Sequence, residues 1–269
     1  MSYIALTYWD LALASLLILL NAGISFAFQL GIGAKLLIAT LRSLIQLSLM
    51  GLVLKTLFTL SSPYWTGFAA LFMVLFAGRE IMARQKRRFS GLWAYGLGTA
   101  TMLMASVFVT GAALLTIAPD PWYDPRYALP LLGMIIGNTM NGISLGLHNL
   151  VEGLTRDRAA VEAQLALGES KWTATLPIVR NALTTAFMPI INSMSAAGLV
   201  LIPGMMTGQI LAGADPIEAV NYQILIMFLI AGGVALGALS SVLGGVLRLT
   251  DQRHRLRIDR LVSLEKGLQ

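Results

Sequence analysis

Long apolar blocks separated by short polar or charged runs divide the chain into seven segments, at residues 11–30, 36–57, 65–82, 92–117, 129–150, 182–202 and 224–247. Each is near the roughly 20 residues that cross a hydrocarbon layer at about 1.5 Å per residue. Their apolar positions are continuous rather than alternating, which favours helices, because an open strand edge leaves unpaired backbone groups in lipid. The pattern predicts an all-α, polytopic membrane helical bundle of about seven transmembrane helices. The sixth block carries Pro189 beside Asn192 and Ser193, so it is either a continuous span or a broken one that would leave six. No repeat, low-complexity tract or linker interrupts the pattern. We expect one domain over residues 1–269 with one large insertion at 152–181.

Composition agrees with a bilayer as solvent: 57% of the 269 residues are hydrophobic and 12% charged, against roughly a quarter charged in ordinary soluble domains. A water-soluble enzyme is excluded. The net charge of +6 sits in short runs between apolar blocks and not in a stripe that could follow phosphates, so nucleic acid is not an expected partner. With no Cys, disulfides, thiolate metal sites and thiol catalysis are excluded. His148 and His254 are the only histidines. Tyr8-Trp9-Asp10 leads directly into a long apolar block, which reads as a retained N-terminus and not as a cleaved signal.

The basic runs also set an expected orientation. Arg84, Lys86, Arg87 and Arg88 lie between the third and fourth blocks, and Arg248, Arg253, Arg255, Arg257 and Arg260 in the tail, whereas residues 119–126 hold two Asp and one Arg. By the positive-inside bias the C-terminus is cytoplasmic, and counting seven spans back places the N-terminus outside.

Within the insertion, four acids (Glu152, Asp157, Glu162, Glu169) balance four bases (Arg156, Arg158, Lys171, Arg180), which argues against a lipid-surface anchor. Residues 158–167 are good helix formers, with Val161 and Leu165 on one side. Gly168 can end that helix and Ser170 can cap the next, giving helix, Gly turn, helix. The alternative is a plain interhelical loop.

Candidate pathway residues are the polar groups inside the spans. Arg42 lies about two turns into the second block with Gln46 on the same face, and Glu80 is at similar depth in the third. Arg42 either pairs with Glu80, snorkels to headgroups or serves transport. Asn138, Asn141 and Ser144 recur at spacing three in the fifth block, Asn192 and Ser193 lie in the sixth, and Gln209 follows it. Gly133 with Gly137 and Gly142 with Gly146 form G-x-x-x-G pairs, which favour close helix packing. Among thirteen methionines, Met205 and Met206 are weak soft-metal candidates, since thioethers suit Cu(I); packing is the plainer role. No carboxylate cluster lies within the blocks to hold a hard cation.

Two motifs carry a resemblance. Glu162-Ala163-Gln164, followed by Gly168 and, ten residues later, Ile178, resembles the EAA loop of ABC-transporter permeases, with Gln164 in place of the second Ala and Arg180-Asn181 where Leu-Pro is usual. Residues 203–213 (PGMMTGQILAG), Asn192-Ser193-Met194, Tyr222-Gln223-Ile224, Arg42 to Leu47 and Gly137-Asn138-Thr139 are similar to the FetB family of iron-export ABC permeases and to plant aluminium-tolerance permeases. The resemblance implies a compact importer-type permease fold in the bacterial inner membrane, with Val161, Glu162, Ala163, Leu165 and Gly168 coupling to an ATPase. It further implies two ATPase copies carrying ATP and Mg, a second copy of this chain, and iron or another metal as the exported substrate, with a metal chelate or a sugar nucleotide left open. This chain has no phosphate-binding loop of its own: Gly31 to Lys35 is too short for one. A gradient-driven transporter or channel is the rival; it needs a buried acid or His relay.

Overall fold

Side chains and prolines at the block edges start the helices. Thr7 and Asp10 form a reciprocal capping box for α1 (Tyr8–Ala27), which satisfies amide groups left open at a helix start. Pro occupies the first turn of α3 (Pro63–Arg84), α5 (Pro125–Arg156) and α9 (Pro216–Leu249), where its missing N–H is not needed. Asp124, Ser170 and Asp215 accept amide hydrogen bonds at the starts of α5, α7 (Lys171–Ala196) and α9. The remaining helices are α2 (Gly33–Leu60), α4 (Trp93–Ile117), α6 (Arg158–Ala166) and α8 (Gly204–Leu211). The structure is a computed structural model that describes residues 7–251, 253 and 255–263; His254 lies outside them.

Seven of these helices, α1–α5, α7 and α9, are long and apolar enough to cross a membrane. The chain is a polytopic helical membrane protein. The sixth span is one continuous helix, Lys171–Ala196, through both Pro177 and Pro189. Neighbouring helices and local adjustment can satisfy the backbone groups that proline frees within a bundle. That helix stops at Ala196, whereas the apolar block runs on to residue 202. Within the expected insertion at 152–181, α5 continues to Arg156 and α7 starts at Lys171, with α6 and its two turns between them. At 32 residues α5 is about 48 Å long, well beyond a hydrocarbon core of about 30 Å.

α5 occupies the centre and packs on α3, α4, α7 and α9. Lipid gives little hydrophobic drive for helix association, so close approach depends on small residues. Gly142 and Gly146 of α5 supply it: a Cβ would meet Val234 at 2.9 Å on the first and Val242 at 3.0 Å on the second, with Ala186 next in line at both. The other expected pair is less used, since a Cβ would meet Met73 at 3.3 Å on Gly133 and nothing within 4 Å on Gly137. The main core, with Met102, Ile143, Leu150, Leu154, Val242 and Leu249 almost fully buried, extends to α6. A smaller cluster of Leu131, Ile190, Ile226, Ile230 and Val234 lies toward the other end of the bundle.

The α1–α2 hairpin stands to one side. Ser25 is the one buried described residue of α1, and Leu57 that of α2. A departure from the all-helical pattern is a short antiparallel ribbon, β1 (Arg87–Phe89) with β2 (Leu261–Ser263). It folds the tail back beneath α9, where the Arg260 guanidinium donates to the Arg248 carbonyl at 2.7 Å.

Candidate functional site

Two long core helices, α5 and α7, converge on α6. The turn after α6 is fixed by Gly168 at φ +94°, a conformation open to glycine and strained for other residues. Its N–H bonds the Leu165 carbonyl and the Glu169 N–H bonds the Gln164 carbonyl, both at 3.1 Å, which is a Schellman ending. Ser170 Oγ then accepts the Thr173 N–H at 3.1 Å and opens α7. The helix, Gly turn, helix pattern is therefore present.

Its contact faces differ from expectation at Val161 and Leu165. Val161, expected on the coupling surface, is 3% exposed and belongs to the main core, with Leu165 half-buried against it. Apolar residues four apart share a face, and here that face anchors α6 to the bundle. The open face consists of Ala159, Ala160, Ala163 and Gln164, with Leu167 86% exposed at the tip. Glu162 is half-exposed and accepts from Arg158 Nε at 2.8 Å. Arg156 bonds Asp157 and holds that carboxyl below its ordinary 3.8.

Inside the spans, Arg42 Nη2 meets Glu80 Oε1 at 2.6 Å, with the guanidinium 5.5 Å from the Phe76 ring centroid. The pair joins the marginal α2 to α3, and Arg79 lies 3.7 Å from the same carboxylate oxygen. Gln46 is exposed on α2. On α5, Asn138 and Asn141 are exposed and Ser144 is buried. Spacing of three drifts by about 60° per step on a helix of 3.6 residues per turn, so Ser144 leaves the face that the two amides share. Asn141 Oδ1 accepts from Arg84 Nη1 at 2.6 Å, and the Ser144 carbonyl accepts from the buried Gln85 side chain at 3.0 Å.

α7 presents a second polar face. Asn181, Thr184, Met188, Asn192 and Ser195 recur every three to four residues and are all exposed, with Ser193 half-buried beside them. Amides and hydroxyls at membrane depth need protein or water next to them.

At the bundle end opposite α6, the start of α5, α8 and the start of α9 enclose a cavity of about 260 Å³. Met205 and Gln209 line it, and Met206 does not. Among the described residues no group of three His, Cys, Asp or Glu is placed to hold a metal ion.

The model of UPF0014, described as an uncharacterised protein family, matches residues 8–249, from the start of α1 to the end of α9. The chain belongs to UPF0014. A rice UPF0014 membrane protein, STAR2, is 34% identical over 85% of this chain and 78% of its own length. The Arabidopsis protein ALUMINUM SENSITIVE 3 is 32% identical over 86% of this chain and 82% of its own. An Escherichia coli relative, named probable iron export permease protein FetB, is 28% identical over 95% of this chain and 97% of its own. No solved structure matches the chain.

The UPF0014 fold also uses groups that the sequence did not single out. Arg84 counts as a loop residue by charge, yet it ends α3 and reaches Asn141. Leu167 is hidden in a helix-forming run, and only the Gly168 turn shows that it projects. Arg126, Tyr127 and Met134 join Gln209 at the end cavity; their i, i+1 and i+8 spacing gives no single-turn signature.

Proposed function

We propose that this chain is the permease subunit of an ATP-driven ABC exporter, acting as a pair of identical copies with two separate ATPase subunits in a bacterial inner membrane. Iron, or another metal ion, is the substrate in this reading, and the E. coli relative's name as an iron export permease supports it. ATP and Mg²⁺ belong to the ATPase partner, and the chain itself contributes binding, gating and contact with lipid.

The observation that carries the reading is the α6 elbow. It is a short helix whose inner residue, Val161, is locked in the core between α5 and α7, while Ala159, Ala160, Ala163 and Leu167 are left open. A partner gripping that small-residue ridge would move α5 and α7 as rigid bodies. The polar faces at Asn138, Asn141, Asn181, Thr184 and Asn192 support the pairing of two copies, because such faces are costly against lipid and suit a wet seam between protomers. Arg42 and Gln46 remain pathway candidates in this reading, and Arg42 has a structural partner in Glu80. The basic runs put α6 in the cytoplasm and the end cavity outside.

Inside-out vesicles containing the chain and its ATPase test the proposal. ATP addition should drive iron accumulation into the lumen, with no accumulation when the chain is omitted. Accumulation driven equally by an imposed ion gradient without ATP would replace this reading with the gradient-driven one.

A further inference from the structure

The end cavity has a chemical character at odds with a naked metal cation. Its polar lining is Arg126, Tyr127, Gln209 and Tyr222, with the thioethers of Met134 and Met205, and among the described residues no acidic side chain contributes to it. Among the described residues Arg126 supplies the only formal charge in the lining, and its guanidinium lies 6.0 Å from the Phe58 ring centroid of α2. Gln209 Oε1 is buried without a hydrogen-bond partner, and a buried acceptor left unpaired is unfavourable. The volume of about 260 Å³ suits a small solute, near the lower end of ordinary ligand pockets at about 300 Å³.

We propose that this cavity binds a small hydroxylated oxyanion, a hydroxycarboxylate or a hydroxylated phosphate, through Arg126, Gln209 and the two tyrosine hydroxyls. A guanidinium fork matches a carboxylate or phosphate in two parallel hydrogen bonds. A ligand hydroxyl gives the orphaned Gln209 oxygen the donor it lacks, and the phenol groups can donate to further ligand oxygens. A cation on the two thioethers would instead lie beside an unneutralised guanidinium.

The cavity lies on the same side of α5 as its polar face. Tyr127, Pro130 and Met134 line it, and Asn138 and Asn141 continue the same three-to-four spacing toward the other end; the Asn138 amide donates to the Met134 carbonyl at 2.9 Å. The inference rests on the transport reading for its meaning: a hard metal would cross already wrapped in oxygen ligands, as an anionic chelate, and this chain would recognise the wrapping.

Equilibrium dialysis of the purified chain in lipid nanodiscs against labelled citrate and glycerol phosphate tests it, with Cu(I) and Fe(II) in parallel. One of the two anions should be retained, and Arg126→Gln and Gln209→Leu should each weaken retention by about tenfold or more. Lys55→Gln, a charge change at the same end of α2 and outside the lining, should leave it within about twofold. Thermal unfolding of each variant separates lost binding from lost fold, and the two variants sit on different helices, α5 and α8. Retention of neither anion, equal retention by Arg126→Gln, an equal loss with Lys55→Gln, or Cu(I) retention abolished by Met205→Leu would each overturn the proposal. An ATPase partner found without anion binding would sink this inference alone; anion binding without any ATPase would sink the ABC reading alone.

Discussion

At the scale of single residues, the Arg42–Glu80 pair decides whether α2 has a place in the bundle. α2 buries little else, and the pair spans to α3 at 2.6 Å with Arg42 less than half exposed. A charge left unpaired inside a span is costly, up to about 2.5–3.5 kcal/mol at the bilayer centre on insertion scales and less toward the ends, where this pair lies. Arg42→Leu and Glu80→Leu should each lower the yield of monodisperse protein in detergent chromatography, and the double replacement should recover most of it. A double variant as poor as the singles would remove the pairing role. The sequence showed both charges at matching depth, because hydropathy exposes any charge inside an apolar block. It did not show that Arg84 reaches Asn141, since a basic residue at a helix end reads the same whether it faces water or a neighbouring span.

Elements depend on backbone fit more than on charge. Gly78 lets α3 approach α4 so closely that an added Cβ would lie 3.1 Å from the Thr99 Cα and also meet its side chain, whereas Gly67 on the same helix has nothing within 4 Å. Gly78→Ala should lower stability by about 1–3 kcal/mol, read as a lower unfolding midpoint, and Gly67→Ala should not. The tail after α9 is held in another way. The Arg255 N–H above all, with that of Arg253, bonds the Asp251 carboxylate and holds it below its ordinary 3.8. A lowered carboxyl contributes stability that is present above its unfolded value and lost as pH falls through the folded one. Hydrogen exchange of the tail should therefore be unchanged by this group from neutral pH to about pH 5 and rise only below about pH 4. Rising exchange already at pH 6 would assign tail order to something else.

The elements themselves were legible in proportion to how apolar they are. Seven blocks gave seven spans because a lipid-facing helix must be continuously apolar. α7 began eleven residues before its block, as its first turns carry Lys171, Trp172 and Arg180 outside any apolar run. α8 hides in a Gly- and Pro-bounded segment, and the three-residue strands are too short to show a period of two. For the elbow, spacing placed Val161 and Leu165 together but could not say which way they faced. Burial of Val161 settles that.

On the scale of the whole molecule, one protomer leaves two kinds of surface incomplete: polar faces on α5 and α7 within the spans, and the open ridge of α6 beyond them. A second copy and an ATPase complete both in the proposed assembly. The ridge gives the more direct test, because it can be broken without touching the spans. Gly168→Pro imposes a negative φ on a turn that needs +94° and removes an N–H that bonds Leu165, and Leu167→Asp places a charge on the exposed tip. Affinity purification of the tagged chain from its native membrane, with both variants alongside, asks whether an ATPase comes with it. Recovery of an ATPase with the wild type and its loss with Leu167→Asp and Gly168→Pro, at equal yield of folded permease, is the expected result; no ATPase with the wild type, or full recovery with both variants, would contradict the coupling role of α6.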